Sequence, residues 1–171
     1  ALLFTGVFLI GNAQGVWSIQ PVPNTGTFGR YDDICFVNDS TGWAIGSVKV
    51  TAQLTRSYVY KTIDSGHTWA AVDSFPYYLR TIRFANQQLG YLGTLDSVSL
   101  LRTTNGGHNW SSVVDTMPTK PKAICGISVP DSLHAYAVGA WSGTPCVVKT
   151  ANGGQTWQYI NMTAHCTALV D

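Results

Sequence analysis

The sequence predicts an all-β protein assembled from four-stranded antiparallel units, and three observations predict it. A nine-residue phrase occurs three times, as KTIDSGHTW at 61–69, RTTNGGHNW at 102–110 and KTANGGQTW at 149–157. Its threonines Thr62, Thr103 and Thr150 lie 41 and then 47 residues apart, a period in the range of propeller blades. A second motif marches in step upstream of each copy, placing Trp43, Tyr91 and Tyr136 at offsets of 48 and 45 residues.

Each unit begins with a short inner strand of period two: Ile34-Cys35-Phe36, Ile82-Arg83-Phe84 and Ile127-Ser128-Val129. A polar turn and an aromatic second strand follow, Gly42 to Gly46, Gly90 to Gly93 and Ala135 to Gly139. The third strand is a β-rich run, Tyr58 to Tyr60, Ser99 to Leu101 and Cys146 to Val148. The repeated phrase then turns the chain. Asp64, Asn105 and Asn152 carry side-chain oxygens expected to accept backbone amides one or two residues on. Gly66, Gly107 and Gly154 supply the positive φ of a tight reversal. Trp69, Trp110 and Trp157 restart an outer strand and offer an indole to bury between stacked sheets. Replacing Trp110 with Ala is expected to cost about 3–5 kcal/mol. Complete units are expected over 31–72, 80–114 and 124–160.

The phrase S/T-x-D/N-x-G-x-x-W resembles the Asp-box, or BNR, repeat. Its pairing with an upstream FxNxxxGWAxG-like strand pair looks like the propellers related to the photosystem II assembly and stability factor of plants and cyanobacteria. The resemblance runs from about Val16 to the C-terminus. It implies a β-propeller, present as about three complete blades plus partial ones in an incomplete ring. It also implies a chaperone-like partner role, with a basic patch that cannot be matched residue by residue. Asp-boxes occur in sialidases, xyloglucanase-type glycosidases and sortilin-like receptors too, so the motif names a scaffold rather than a reaction.

The remaining segments are read from that frame. Residues 16–20 resemble an outer strand expected to latch the ring, residues 166–171 begin a further inner strand, and further blades of the same chain are expected beyond 171. Leu2 to Phe4 and Val7 to Ile10 are apolar and precede Gly11-Asn12-Ala13, so 1–13 reads as a partial signal peptide. That run is too short for a membrane span. A secreted, periplasmic or cell-surface location is the expectation.

Charged residues are 11% of the chain and the net charge is +1, which argues against a nucleic-acid partner. The cysteines Cys35, Cys125, Cys146 and Cys166 could pair in an oxidising compartment, although Cys35 aligns with a strand position suited to a buried thiol. No CxxC or HxxxH spacing points to a metal, and no cofactor is implied. Asp64 is matched by Asn105 and Asn152, and an amide cannot transfer a carboxylate's proton, so the turn role is preferred to catalysis. Lys61, Arg102 and Lys149 are equivalent cations, read as stems lying along aromatics in preference to an anion-binding stripe. The chain contains no glutamate, so a sialidase's tyrosine–glutamate pair is missing, and no catalytic residue is assigned. A secreted glycoside hydrolase with its carboxylates in further blades is the alternative.

Binding is the expected activity. The loops between blades and between middle strands share one face of a propeller, and they carry Arg30, Tyr31, Tyr77, Tyr78, Arg80, Lys120, Lys122 and Trp141. Aromatics beside Arg and Lys are the composition of protein interfaces and of sugar platforms, so the expected partner is a protein or a carbohydrate.

Overall fold

The computed structural model describes residue 19 and residues 29–49, 55–117, 119–139 and 146–161. The expected signal peptide at 1–13, the latch strand near 16–20 apart from residue 19, the next blade at 166–171 and Trp141 lie outside the described residues.

Twelve strands form three four-stranded sheets, each an antiparallel meander in chain order. The first contains β1 (Arg30–Phe36), β2 (Gly42–Lys49), β3 (Thr55–Thr62) and β4 (Ala70–Phe75). The second contains β5 (Leu79–Phe84), β6 (Gly90–Thr94), β7 (Leu100–Thr103) and β8 (Ser111–Ser112). A 3-10 turn at Val114–Thr116 leads to the third, β9 (Gly126–Ser128), β10 (Ala135–Gly139), β11 (Cys146–Thr150) and β12 (Gln158–Asn161). The inner strands β1, β5 and β9 approach one another in sequence, which is the radial order of propeller blades.

The turn between third and outer strands has one geometry in all three blades. The threonine hydroxyl accepts the amide of the second turn residue after the Asp or Asn, at 3.0 Å for Gly66, 3.1 Å for Gly107 and 3.0 Å for Gly154. The same hydroxyl donates to Asp64, Asn105 or Asn152 at 2.7, 2.9 and 2.9 Å. Those side chains accept an amide four residues on, from Thr68, Asn109 and Thr156, rather than one or two on as the sequence suggested. The reason is that the threonine occupies the nearer amides and leaves the Asp or Asn oxygen to span the whole turn. Each tryptophan Nε1 donates back to the carbonyl of Gly66, Gly107 or Gly154, at 3.1, 3.0 and 3.3 Å. The indole is thereby tied to the turn, and the outer strands start one residue later, at Ala70, Ser111 and Gln158.

Alternation within the strands sends one set of side chains to each neighbouring blade. Trp43, Ile45, Val59, Ile82, Phe84, Leu92 and Leu101 are buried between the first and second blades. Tyr91, Leu100, Ile124, Ile127, Ala137, Val148 and Trp157 are buried between the second and third. Glycine is required at Gly139, where a Cβ would lie 1.9 Å from the Ala123 carbonyl oxygen. The described cysteines Cys35, Cys125 and Cys146 are free thiols, and burial pushes Cys35 up to about 11.

Candidate interaction face

Two β-bulges build a polar cluster between the first two blades. The register of β1 on β2 shifts between Tyr31 and Asp33, so Asp32 is the extra residue, and that of β5 on β6 shifts between Leu79 and Thr81, so Arg80 is the extra one. A bulge re-aims a side chain that regular alternation would send elsewhere. Here two bulges at equivalent positions of neighbouring inner strands aim a carboxylate and a guanidinium at each other. Arg80 Nη1 donates to Asp32 Oδ1 at 3.0 Å, Tyr78 Oη donates to Asp32 Oδ2 at 2.8 Å, and Arg30 Nη2 pairs with Asp32 Oδ1 as well. The Asp32 side chain is fully buried beneath these partners, while Arg30 remains 61% and Arg80 35% exposed. The Arg30 guanidinium also lies 5.6 Å from the Tyr78 ring centroid, a cation–π approach. Burial and the bond to Asp32 push the Tyr78 phenol up to about 12, so it stays a proton donor.

Asp33 repeats the arrangement one residue along. It accepts Thr81 Oγ1 at 2.8 Å, the Ile82 amide at 2.9 Å and Arg83 Nη1 at 2.6 Å. Burial alone would raise its carboxyl, but the Arg83, Ile82 and Thr81 hydrogen bonds outweigh burial and hold it below the ordinary carboxylate value. Three guanidinia thus surround two carboxylates, leaving one net positive charge whose hydrogen-bonding edges reach solvent.

The structure brings together Arg30, Tyr78 and Arg80 and separates the other expected site residues that it describes. Tyr31 lies 5.9 Å from the Tyr60 ring, on the outward face of the first blade. Tyr77 lies tilted against Phe75, with ring centroids 5.4 Å apart, and packs against the core of the first two blades. Lys120 pairs with Asp115, and Lys122 is exposed beyond the buried Pro121. Asp32, Asp33, Thr81 and Arg83 were missed in the sequence. Two consecutive aspartates inside a strand that otherwise alternates were the available signal, because only an irregular strand can turn both toward the same neighbour. Asp64 donates nothing to this face: its oxygens accept from Thr62 and Thr68, and those bonds, Thr68's first, draw its carboxyl down to about 2. Among the described residues no cluster of His, Cys, Asp and Glu could hold a metal ion, and no helix is long and apolar enough to cross a membrane.

Three radial four-stranded blades, each closed by the same threonine–aspartate or threonine–asparagine turn, define an Asp-box β-propeller. The chain belongs to the photosynthesis system II assembly factor YCF48 family, whose model matches residues 12–168. Among solved structures it is similar to YCF48 from Cyanidioschyzon merolae, at 24% identity and a TM-score of 0.60, over 86% of this chain and 42% of that one. An ancestral GH74 enzyme is similar at 22% identity and TM-score 0.59, over 82% of this chain and 19% of the enzyme. The Niastella koreensis GH74 enzyme is similar at 18% identity and TM-score 0.51, over 71% and 21%. These likenesses are of fold. The chain spans less than half the length of each of these three proteins. No curated protein matches the sequence.

Proposed function

We propose that this chain is part of an exported, non-enzymatic propeller that recognises a protein partner in an assembly role, through the face on which Arg30, Tyr78 and Arg80 converge. The observation that carries the reading is the pair of bulges that sets Asp32 against Arg80. A buried carboxylate that orients two part-exposed arginines fixes the direction in which their remaining N–H groups point. Oriented guanidinium edges suit bidentate recognition of a carboxylate on a partner surface. Family membership supports the assembly role, and the apolar run before Ala13 supports export. Further blades that complete the ring belong to the same reading. A carbohydrate partner, or a glycoside hydrolase, is supported by the GH74 likenesses of fold alone.

A photoreactive residue placed at Tyr78, or as a control at Ser112, tests this in cells that make the protein. The expected result is an adduct with one protein from Tyr78 and none from Ser112. The purified partner should then bind the double variant Arg30→Ala, Arg80→Ala at least tenfold more weakly than the unaltered chain. Unchanged affinity, or binding to xyloglucan oligosaccharides that these substitutions abolish, would sink the protein-partner reading.

A further inference from the structure

The chain contains two Asn-Gly pairs, Asn105-Gly106 and Asn152-Gly153, and both occupy the same place in an Asp-box turn. That pair is chemically labile. The backbone nitrogen of the glycine loses its proton and attacks the asparagine side-chain carbon, closing a succinimide ring and releasing ammonia. Water then opens the ring to aspartate or to isoaspartate. Glycine favours the attack because it carries no side chain to obstruct the approach. Asparagine is among the thermolabile residues for this reason.

The turn withholds both reacting groups. The nucleophiles are the Gly106 and Gly153 amides, and both glycines are buried. Each amide donates to a carbonyl of the turn between the first two strands of its own blade, Gln88 at 3.0 Å and Leu133 at 2.9 Å. The proton cannot leave until that bond breaks. The electrophile is held as firmly. Asn105 Oδ1 accepts from Thr103 Oγ1 at 2.9 Å and from the Asn109 amide at 3.0 Å. Asn152 Oδ1 accepts from Thr150 Oγ1 at 2.9 Å and from the Thr156 amide at 3.0 Å. These bonds fix the carboxamide across the turn, so it does not swing onto the glycine nitrogen while the turn is closed.

The first blade shows what the products would meet. Asp64 stands where the other two blades have asparagine, and it keeps the same turn. Its Oδ1 accepts from Thr62 Oγ1 at 2.7 Å and from the Thr68 amide at 2.9 Å, and the Ser65 amide donates to the Ser40 carbonyl at 3.0 Å. Aspartate formed at 105 or 152 therefore leaves the turn intact. Isoaspartate does not, because its backbone runs through the side-chain carboxyl and gains one carbon. At 105 that lengthening would pull the Gly107 amide from Thr103 and the Gly107 carbonyl from the Trp110 indole, bonds of 3.1 and 3.0 Å that anchor the outer strand.

The two sites are not equally guarded. Asn152 Nδ2 also donates to Thr156 Oγ1 at 2.8 Å. Asn109 stands at that place in the second blade, and Asn105 Nδ2 has no hydrogen bond among the described residues.

We propose that Asn105 and Asn152 are latent sites of spontaneous covalent modification, held shut by the Asp-box turn and converted to aspartate or isoaspartate when that turn opens, Asn105 ahead of Asn152. The opening that lets the Gly106 amide exchange its hydrogen is then the one that admits the attack.

Ageing the purified protein at mildly alkaline pH, beside the same chain unfolded in urea, tests this. Deamidation at each site is read by mass spectrometry of proteolytic peptides, and each folded rate is compared with that site's own rate in urea. Both should be at least tenfold slower in the folded chain, Asn105 being the less suppressed. Hydrogen exchange at Gly106 and Gly153 should be slowed by a factor within about threefold of that suppression. Thr103→Val removes a bond to Asn105 Oδ1, so in the folded variant it should hasten deamidation at Asn105 and leave Asn152 unchanged. Equal rates in folded and unfolded chains would overturn the proposal. So would stronger suppression at Asn105 than at Asn152, slow deamidation beside fast exchange at Gly106, or an Asn105 rate that Thr103→Val does not alter.

Discussion

Trp43→Ala is predicted to destabilise the protein by about 5 kcal/mol. The indole is wholly buried, stacked on Phe84 with an interplanar angle of 7°, and its N–H holds the buried Gly106 carbonyl of the next blade. Truncating a buried tryptophan costs about 3–5 kcal/mol through lost transfer energy and the cavity left behind. Stranding a buried carbonyl adds about 1–3 kcal/mol, which partial collapse of the site reduces. Trp43→Phe keeps a ring on Phe84 while removing the donor and only part of the buried volume, so a smaller loss than Trp43→Ala, about 2–3 kcal/mol, is expected. Tyr136→Ala occupies the same place in the repeat but on an outward face, and should stay within about 0.5 kcal/mol. Urea unfolding in dilute solution, followed by far-ultraviolet circular dichroism, measures all three from the shift in midpoint at constant slope. Equal costs for Trp43→Ala and Tyr136→Ala would refute the reasoning, because position at a filled junction would then carry no energy.

The other predictions concern the Asp-box itself. Trp157 is 4% exposed and Trp110 only half-buried, so Trp157→Ala should cost about 3–5 kcal/mol and Trp110→Ala about 2, less than the sequence alone led us to expect, both read from urea midpoints. Thr103→Val removes a buried hydroxyl that accepts the Gly107 amide and donates to Asn105; a loss of about 1–3 kcal/mol and faster hydrogen exchange at Gly107 are expected. Asp64 has a folded carboxyl near 2, below its ordinary unfolded value. Its contribution is therefore present above about pH 4 and fades as pH falls toward 2. Melting temperature followed through that window should fall less steeply in Asp64→Asn, which keeps the turn as Asn105 and Asn152 do. Superimposable acid limbs would exclude the role given to this carboxylate.

Strand order and turn chemistry were legible because they repeat. Thr62, Thr103 and Thr150 sit in one pattern, and three copies of a pattern expose which residue types the backbone demands. The cations Lys61, Arg102 and Lys149 were legible only in part, since their placement along aromatics could be read but not the carbonyl of the next blade that Arg102 holds. That contact crosses about fifty residues and depends on a left-handed turn at Gly153, which the motif does not advertise. Ser65 shows why: a serine at φ 62° stands where the other two turns have glycine, so the conformation follows from the hydrogen bonds around it and not from residue type. Tyr77 and Lys120 were grouped with Arg30 and Arg80 because they share a loop class. The structure instead places Tyr77 against Phe75 and Lys120 against Asp115.

The face that carries the proposed function lies where the repeat breaks. Counting back from Ile34, Ile82 and Ile127 puts Asp32, Arg80 and Cys125 at one repeat position. A scaffold position under only structural demand would carry similar residues in each blade, as the threonines do. Here the first blade has a buried carboxylate, the second a bulged arginine that pairs with it, and the third a thiol whose own amide donates to the Val138 carbonyl at 2.8 Å. The bulges of β1 and β5 disturb their sheets by one residue each, and the gain is a salt bridge between blades with an outward-facing edge. Burying Asp32 is unfavourable unless it is fully paired. The three partners that satisfy it are also the groups that a ligand would meet. An ordinary apolar junction, like that of Trp43 on Phe84, would have joined the blades at less cost in desolvation, so the polar pair is best explained by what it presents to solvent.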